Sequence, residues 1–215
     1  YGNGQKGFSA PVNFPVGAGV SALLAADFDT DGKTDLAALS SDNTGFAILL
    51  NNGMGGFAAP AVYTFGISAP TAMALGDFNS DGKPDLAIAN ATNNRVSIQL
   101  NSGTGVFNQA QNFGLLQQPI AITAGDFNVD GKVDLAIGST ASEISIHLGN
   151  DTGQFGDGFK FPLGGSALAV VSADLNNDGR ADLATANGAA GNASVLYNAC
   201  TAPPANTPPT ITAAA

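Results

Sequence analysis

Four stretches of this 215-residue chain carry side-chain oxygens at one fixed spacing: Asp27 to Leu36 reads DFDTDGKTDL, Asp77 to Leu86 DFNSDGKPDL, Asp126 to Leu135 DFNVDGKVDL, and Asp174 to Leu183 DLNNDGRADL. The shared pattern, D-x-[DN]-x-D-G-[KR]-x-D, sets an oxygen donor at loop positions 1, 3, 5 and 9, with Gly at position 6 permitting a tight backbone turn. A hard oxygen set of this density selects a hard cation. Calcium accepts about six to eight oxygens in flexible geometry, whereas magnesium demands a stricter octahedron and keeps its water. The expected ligands are Asp27, Asp29, Asp31 and Asp35; Asp77, Asn79, Asp81 and Asp85; Asp126, Asn128, Asp130 and Asp134; and Asp174, Asn176, Asp178 and Asp182. Position 7, occupied by Lys33, Lys83, Lys132 and Arg180, is expected to add its backbone carbonyl while the cationic side chain points to solvent.

An EF-hand begins in the same way but needs a bidentate Glu at position 12 and flanking helices. Position 12 here is Ala38, Ile88, Ile137 and Thr185, so that reading fails. Acidic Asp-Gly turns are also ordinary hairpin chemistry. The distribution of acids decides between the two: of 17 Asp and Glu residues, 13 lie in the four loops, leaving only Asp42, Glu143, Asp151 and Asp157 elsewhere. Three or four carboxylates within nine residues repel one another unless a cation neutralises them. About four calcium ions per chain would shift the formal charge from -10 to about -2. Sites of this kind fill at extracellular calcium levels and not at cytosolic ones, which points to a secreted protein, and the Ala/Ser/Thr/Asn/Gly-rich, Cys-poor composition fits a bacterial one.

Charge excludes other partners. Seven Lys and Arg residues and a pI near 4.1 would repel a phosphate backbone, so nucleic acid is not expected. No run of about 18 apolar residues occurs, so no membrane-inserted helix is expected.

The elements that must hold these loops follow from their spacing of 50, 49 and 48 residues. A repeat of that length is one unit that stacks on its neighbours because it cannot bury its own apolar face. A second landmark recurs in register, with Phe8, Phe57, Phe107 and Phe155 each closing a Gly-rich stretch. Between the landmarks lie short alternating segments such as Ile120 to Ala124, Leu135 to Gly138 and Ile144 to Leu148, too short for helices. About four strands per unit make an all-β chain of four β-propeller blades over residues 1–200. The fourth unit stops after Ser194 to Tyr197, and the spare strand Phe8 to Phe14 is expected to pair beside it and close the ring. The alternatives are a part of a seven- or eight-bladed ring, or two copies completing one ring as a homo-oligomer. Residues 201–215, rich in Pro, Thr and Ala, read as an extended linker, with Thr210 to Thr212 able to add a strand to a neighbour's edge.

The DFNxDGKxDLAI loops, with a Gly-rich turn and Phe in each unit, resemble the FG-GAP/VCBS repeats of bacterial extracellular proteins and are similar to the calcium-binding blades of integrin α-subunit propellers. The resemblance covers about residues 1–200 and implies a calcium-stabilised, non-catalytic propeller used in adhesion or in recognition of an extracellular protein or glycan. Some fungal lectins share such repeats, which keeps a carbohydrate-binding or polysaccharide-processing propeller as a second reading and a self-assembling surface component as a third. Catalysis is disfavoured by the residues themselves. His147 is the one histidine and occupies a variable strand position, no G-x-S-x-G turn is present, and the spare acids are few. Cys200 cannot form an internal disulfide.

Overall fold

The computed structural model describes residues 7, 10–40, 45–108, 111–115, 117–188, 190–200 and 209–213. Its strands form four antiparallel sheets of four strands each. Sheet 1 holds β1 (Val20–Ala26), β2 (Asp35–Ser40), β3 (Gly45–Leu49) and β4 (Ala61–Tyr63); sheet 2 holds β5 (Pro70–Gly76), β6 (Asp85–Asn90), β7 (Arg95–Gln99) and β8 (Gln111–Gly114). Sheet 3 holds β9 (Pro119–Gly125), β10 (Asp134–Ser139), β11 (Glu143–His147) and β12 (Phe159–Pro162). Sheet 4 holds β13 (Ala167–Ala173), β14 (Asp182–Asn187), β15 (Asn192–Asn198) and β16 (Ile211–Ala213). No helix occurs among the described residues, and the chain is all-β.

Each second strand begins at position 9 of an aspartate loop, and in the two inner sheets β6 and β10 are apolar on both faces because a sheet lies on either side of them. In β6, Leu86 and Ile88 pack toward sheet 1, while Ala87 and Ala89 pack toward sheet 3. The first strands β1, β5, β9 and β13 lie side by side in succession, and the packing passes from sheet 1 to sheet 4 without returning, so the sheets do not close into a ring. Both ends of the row remain distinct. At sheet 1, Phe14 and Val16 cover Leu36, Ala38, Ala47 and Leu49, with Phe14 edge-on to Phe57 at 5.1 Å. At sheet 4, Val171 and Leu175 stay 58% and 42% exposed, although the equivalents of Leu175 in the other loops, Phe28, Phe78 and Phe127, are buried under the next sheet.

The expected closure by an N-terminal strand is corrected here. Residues 10–14 form no strand, Phe14 packs on sheet 1, and Phe8 falls outside the described residues. The place beside β15 is taken by β16 of the chain's own tail, paired through Leu196–Ala213, Tyr197–Thr212 and Asn198–Ile211. The physical reason is proximity: the Ala199 N–H donates to the Thr210 carbonyl at 2.6 Å, closing the same kind of loop that Ser102 and Val106 close in sheet 2. The tail strand thus joins its own blade, not a neighbour's edge. Cys200 is buried at this junction and its sulfur accepts the Thr210 N–H at 2.9 Å.

Candidate metal centres

All four loops have the same backbone. Position 4 is left-handed in each, at Thr30, Ser80, Val129 and Asn177 with φ of 60°, 57°, 62° and 61°. Position 6 is left-handed again, as at Gly131 with φ of 84°. These two reversals curl the chain inward. The position 1 carboxylate then accepts two N–H groups from across the loop, Asp31 at 3.1 Å and Gly32 at 2.8 Å for Asp27, and its counterparts Asp77, Asp126 and Asp174 do the same. Position 3 accepts the position 5 N–H, and position 5 accepts the position 7 N–H, so the donors turn toward one centre.

A left-handed β-branched residue is strained, and Val129 is the one such residue carrying only carbon in its side chain. Asn tolerates this region and already occupies the same place at 177. Val129→Asn is therefore expected to raise stability by about 1 kcal/mol, read as a rise of a few degrees in melting temperature. An unchanged or lower value would show that the loop does not hold this conformation.

Position 9 has a different setting. Asp35, Asp85, Asp134 and Asp182 are fully buried, and each accepts two backbone N–H groups. Asp134 takes Phe127 and Gly149, both at 2.9 Å; Asp85 takes Phe78 at 3.0 Å and Asn101 at 2.8 Å. One donor belongs to the loop and the other to the end of the third strand, so this carboxylate clamps loop to sheet. Burial pushes Asp85 up to about 6 and Asp134 up to about 7, against the lowering effect of those N–H groups and with the neighbouring loop acids adding.

In the first loop, carboxylate oxygens of Asp27, Asp29 and Asp35 lie within 4.8 Å of one another. Burial and the charges of Asp35 and Asp31 raise Asp29 above the ordinary carboxylate range. In loops 2 to 4 an Asn replaces Asp29 and offers an amide oxygen. This donor set fits calcium: the candidate donors are all oxygens, at least three of them carboxylates in every loop, and calcium takes such oxygens at about 2.3 to 2.6 Å in flexible geometry.

Position 7 differs from expectation. The side chains do not point freely to solvent: Lys33, Lys83 and Arg180 pair with the position 5 carboxylate of their own loops, Asp31, Asp81 and Asp178. Attraction to the nearest acid outweighs full hydration, and Lys33 and Lys83 lay their stems over Gly53 and Gly103, where a Cβ would meet them at 2.8 Å. Lys132 instead reaches Asp151 at 2.9 Å, and Asp151 also accepts from Ser80 at 2.8 Å. Asp151 thereby ties loops 2 and 3 together.

Two features escaped the sequence reading. The asparagines Asn101 and Asn198 each donate to the carbonyl of position 2 in the preceding loop, Phe28 at 2.9 Å and Phe127 at 3.0 Å, and to position 8 of their own. Gly105 and Gly153 reinforce this by donating backbone N–H to Phe28 and Phe78, both at 2.8 Å. Each of the first three loops is thus bonded to the next sheet. The recurrence of Asn at 51, 101 and 198 was the available signal. The second feature is His147, which is buried and bonded to Ser145 and Gly156.

The raised carboxylates set a pH dependence. A group with a raised folded pKa stabilises the fold fully below the ordinary carboxylate range, and that stabilisation is lost as pH rises through the folded value. For Asp85 and Asp134 the loss falls around pH 6 to 7 in chelator, and a bound cation removes it. The gap between melting temperatures in calcium and in chelator is expected to widen from pH 5 to pH 8. Burial lowers His147, which acts in the opposite sense below about pH 6.5, but equally in both conditions, so it cancels in the gap. A gap independent of pH would contradict the assignment.

No curated protein matches the chain. Among solved structures it resembles an Agrocybe aegerita lectin described as recognising non-reducing terminal N-acetylglucosamine, at 21% identity and TM-score 0.60, over 85% of this chain and 50% of that one. It also resembles BBS1N in complex with ARL6DN, at 14% identity and TM-score 0.55 over 83% and 52%, and the Photorhabdus luminescens Tc holotoxin pore, at 21% and 0.50 over 80% and 8%. The chain spans about half the length of the first two, and at these identities the likeness is one of fold. The model of the FG-GAP-like repeat matches residues 27–88, 77–137 and 126–185, each match running from one aspartate loop into the second strand of the next blade. With that match added to the shared loop geometry, the chain belongs to the FG-GAP-like repeat family.

Proposed function

We propose that this chain is a calcium-stabilised, non-catalytic β-propeller module that acts outside the cell in adhesion or ligand recognition. The observation that carries this reading is the shared backbone build of four acidic loops, three of them bonded to the following sheet. Calcium held by positions 1, 3, 5 and 9 and the position 7 carbonyl would offset the acids' repulsion and fix each loop against its neighbour. The proteins of similar fold that recognise N-acetylglucosamine or are seen with ARL6DN favour a binding role for such a scaffold. The exposed Val171 and Leu175 at the sheet 4 end favour a larger ring, in which a further blade packs there as each blade packs on the last.

The test is binding of the calcium-loaded chain to arrayed glycans and to a panel of extracellular matrix proteins, repeated in EDTA, with glycoside hydrolase and lyase assays alongside. Binding to a glycan or protein that EDTA abolishes is expected. Silence on both arrays with turnover of a polysaccharide would overturn the reading.

A further inference from the structure

A cavity opens in the row of blades beside His147. It measures about 320 Å³ and opens between sheets 2 and 3, at the small end of the roughly 300 to 1,000 Å³ common for small-molecule sites. Its origin lies in the chain. Six residues link Tyr63 to Pro70 between sheets 1 and 2, but only five link the equivalent Phe113 to Pro119. Between sheets 1 and 2 the longer link caps the third strand of sheet 2: Ser97 donates to the Gly66 carbonyl and Gln99 to the Phe65 carbonyl. The equivalents in sheet 3, Ser145 and His147, bond instead to one another at 3.1 Å and to Gly156. Between sheets 3 and 4 the place of His147 is filled by Leu196, buried in the apolar cluster. Only between sheets 2 and 3 are both fillers missing.

The lining defines a ligand. Gly156 offers a carbonyl, which can only accept, so His147 donates through Nδ1 at 3.0 Å; neutral Nε2 then accepts the Ser145 hydroxyl hydrogen. Ser145 is left presenting lone pairs. Glu143 and Asp157, the two acids among the described residues uncommitted to loop contacts, line the same space, and Lys160 beside them is paired with Glu143 at 2.6 Å. The phenyl ring of Phe113 lies 5.0 Å from the His147 imidazole and supplies a flat apolar wall. Acceptors outnumber donors, the one cation is neutralised, and an aromatic face stands beside them. A ligand with several hydroxyl donors and a C–H face meets all three conditions; an added negative charge would face Asp157 with the lining's one cation already paired. We propose that this cavity binds one neutral pyranose sugar unit, with Asp157, Glu143 and Ser145 accepting its hydroxyls and Phe113 stacking on its ring. This inference rests on the recognition reading and names its ligand class.

Saturation-transfer-difference NMR on the calcium-loaded full chain would test it, using neutral hexoses and N-acetylhexosamines, glucuronate as the anionic probe and putrescine as the cationic one. Two variants mark the cavity. Asp157→Asn changes an exposed side chain, and Gly114→Leu fills the mouth from a backbone position with open space around its missing Cβ. Signals from at least one neutral sugar are expected, weakened tenfold or more by each variant at unchanged melting temperature. Sugar signals that survive both variants would move the site elsewhere. No sugar signal, or a preference for putrescine or glucuronate, would overturn the ligand class, while protein binding on the matrix panel would leave the recognition reading intact.

Discussion

Removing calcium with EDTA is expected to lower the melting temperature by on the order of 15 °C. Sites filled about tenfold above their dissociation constant contribute roughly 1.4 kcal/mol each, so four contribute about 6 kcal/mol. For a chain of this size each kcal/mol moves the midpoint by about 2 to 4 °C. The effect comes from the loops: without a cation, Asp27, Asp29 and Asp35 hold charge within 4.8 Å of one another, and only Lys33, paired to Asp31, offsets it. Calcium restored in excess should return the midpoint, and magnesium should return less of it. A midpoint unmoved by EDTA would remove calcium from the account of stability.

The second large effect separates clamp from ligand within one loop. Asp134→Ala is expected to cost about 4 kcal/mol in EDTA, because the Phe127 and Gly149 N–H groups both lose their acceptor inside the protein, and more in calcium, where a position 9 ligand is lost as well. Asp130→Ala, in the same loop, removes a less buried carboxylate that accepts chiefly from its own loop. That variant should match the parent chain in EDTA and lose about a quarter of the calcium-dependent shift. Equal losses in EDTA from the two variants would mean that position 9 has no separate structural role.

Much of this was legible because the repeat is strict. The segments Ile120 to Ala124, Leu135 to Gly138 and Ile144 to Leu148 fall inside β9, β10 and the β11 region, and each aspartate loop enters its second strand at position 9. The alternation that identifies such strands is a local property. The outer strand of sheet 4 was legible only as a strand for a neighbour's edge, since Ile211–Ala213 is three residues long and follows a Pro-rich run that reads as extended coil. Pairing to β15 fixes it, and pairing is a property of the fold. Sequence located the acidic loops, but not the double duty of Asp134 or the ion pairs of Lys33 and Arg180, which depend on which groups burial brings together. The cavity beside His147 was hidden for a similar reason: a five-residue link combined with His147 where the last blade has Leu196 is a small change in sequence and a large one in packed volume.

Native mass spectrometry of the chain at saturating calcium tests the central claim most directly. Four calcium ions per protomer are expected, falling to three in Asp126→Ala. A folded chain that retains none, at calcium levels well above those outside cells, would contradict it.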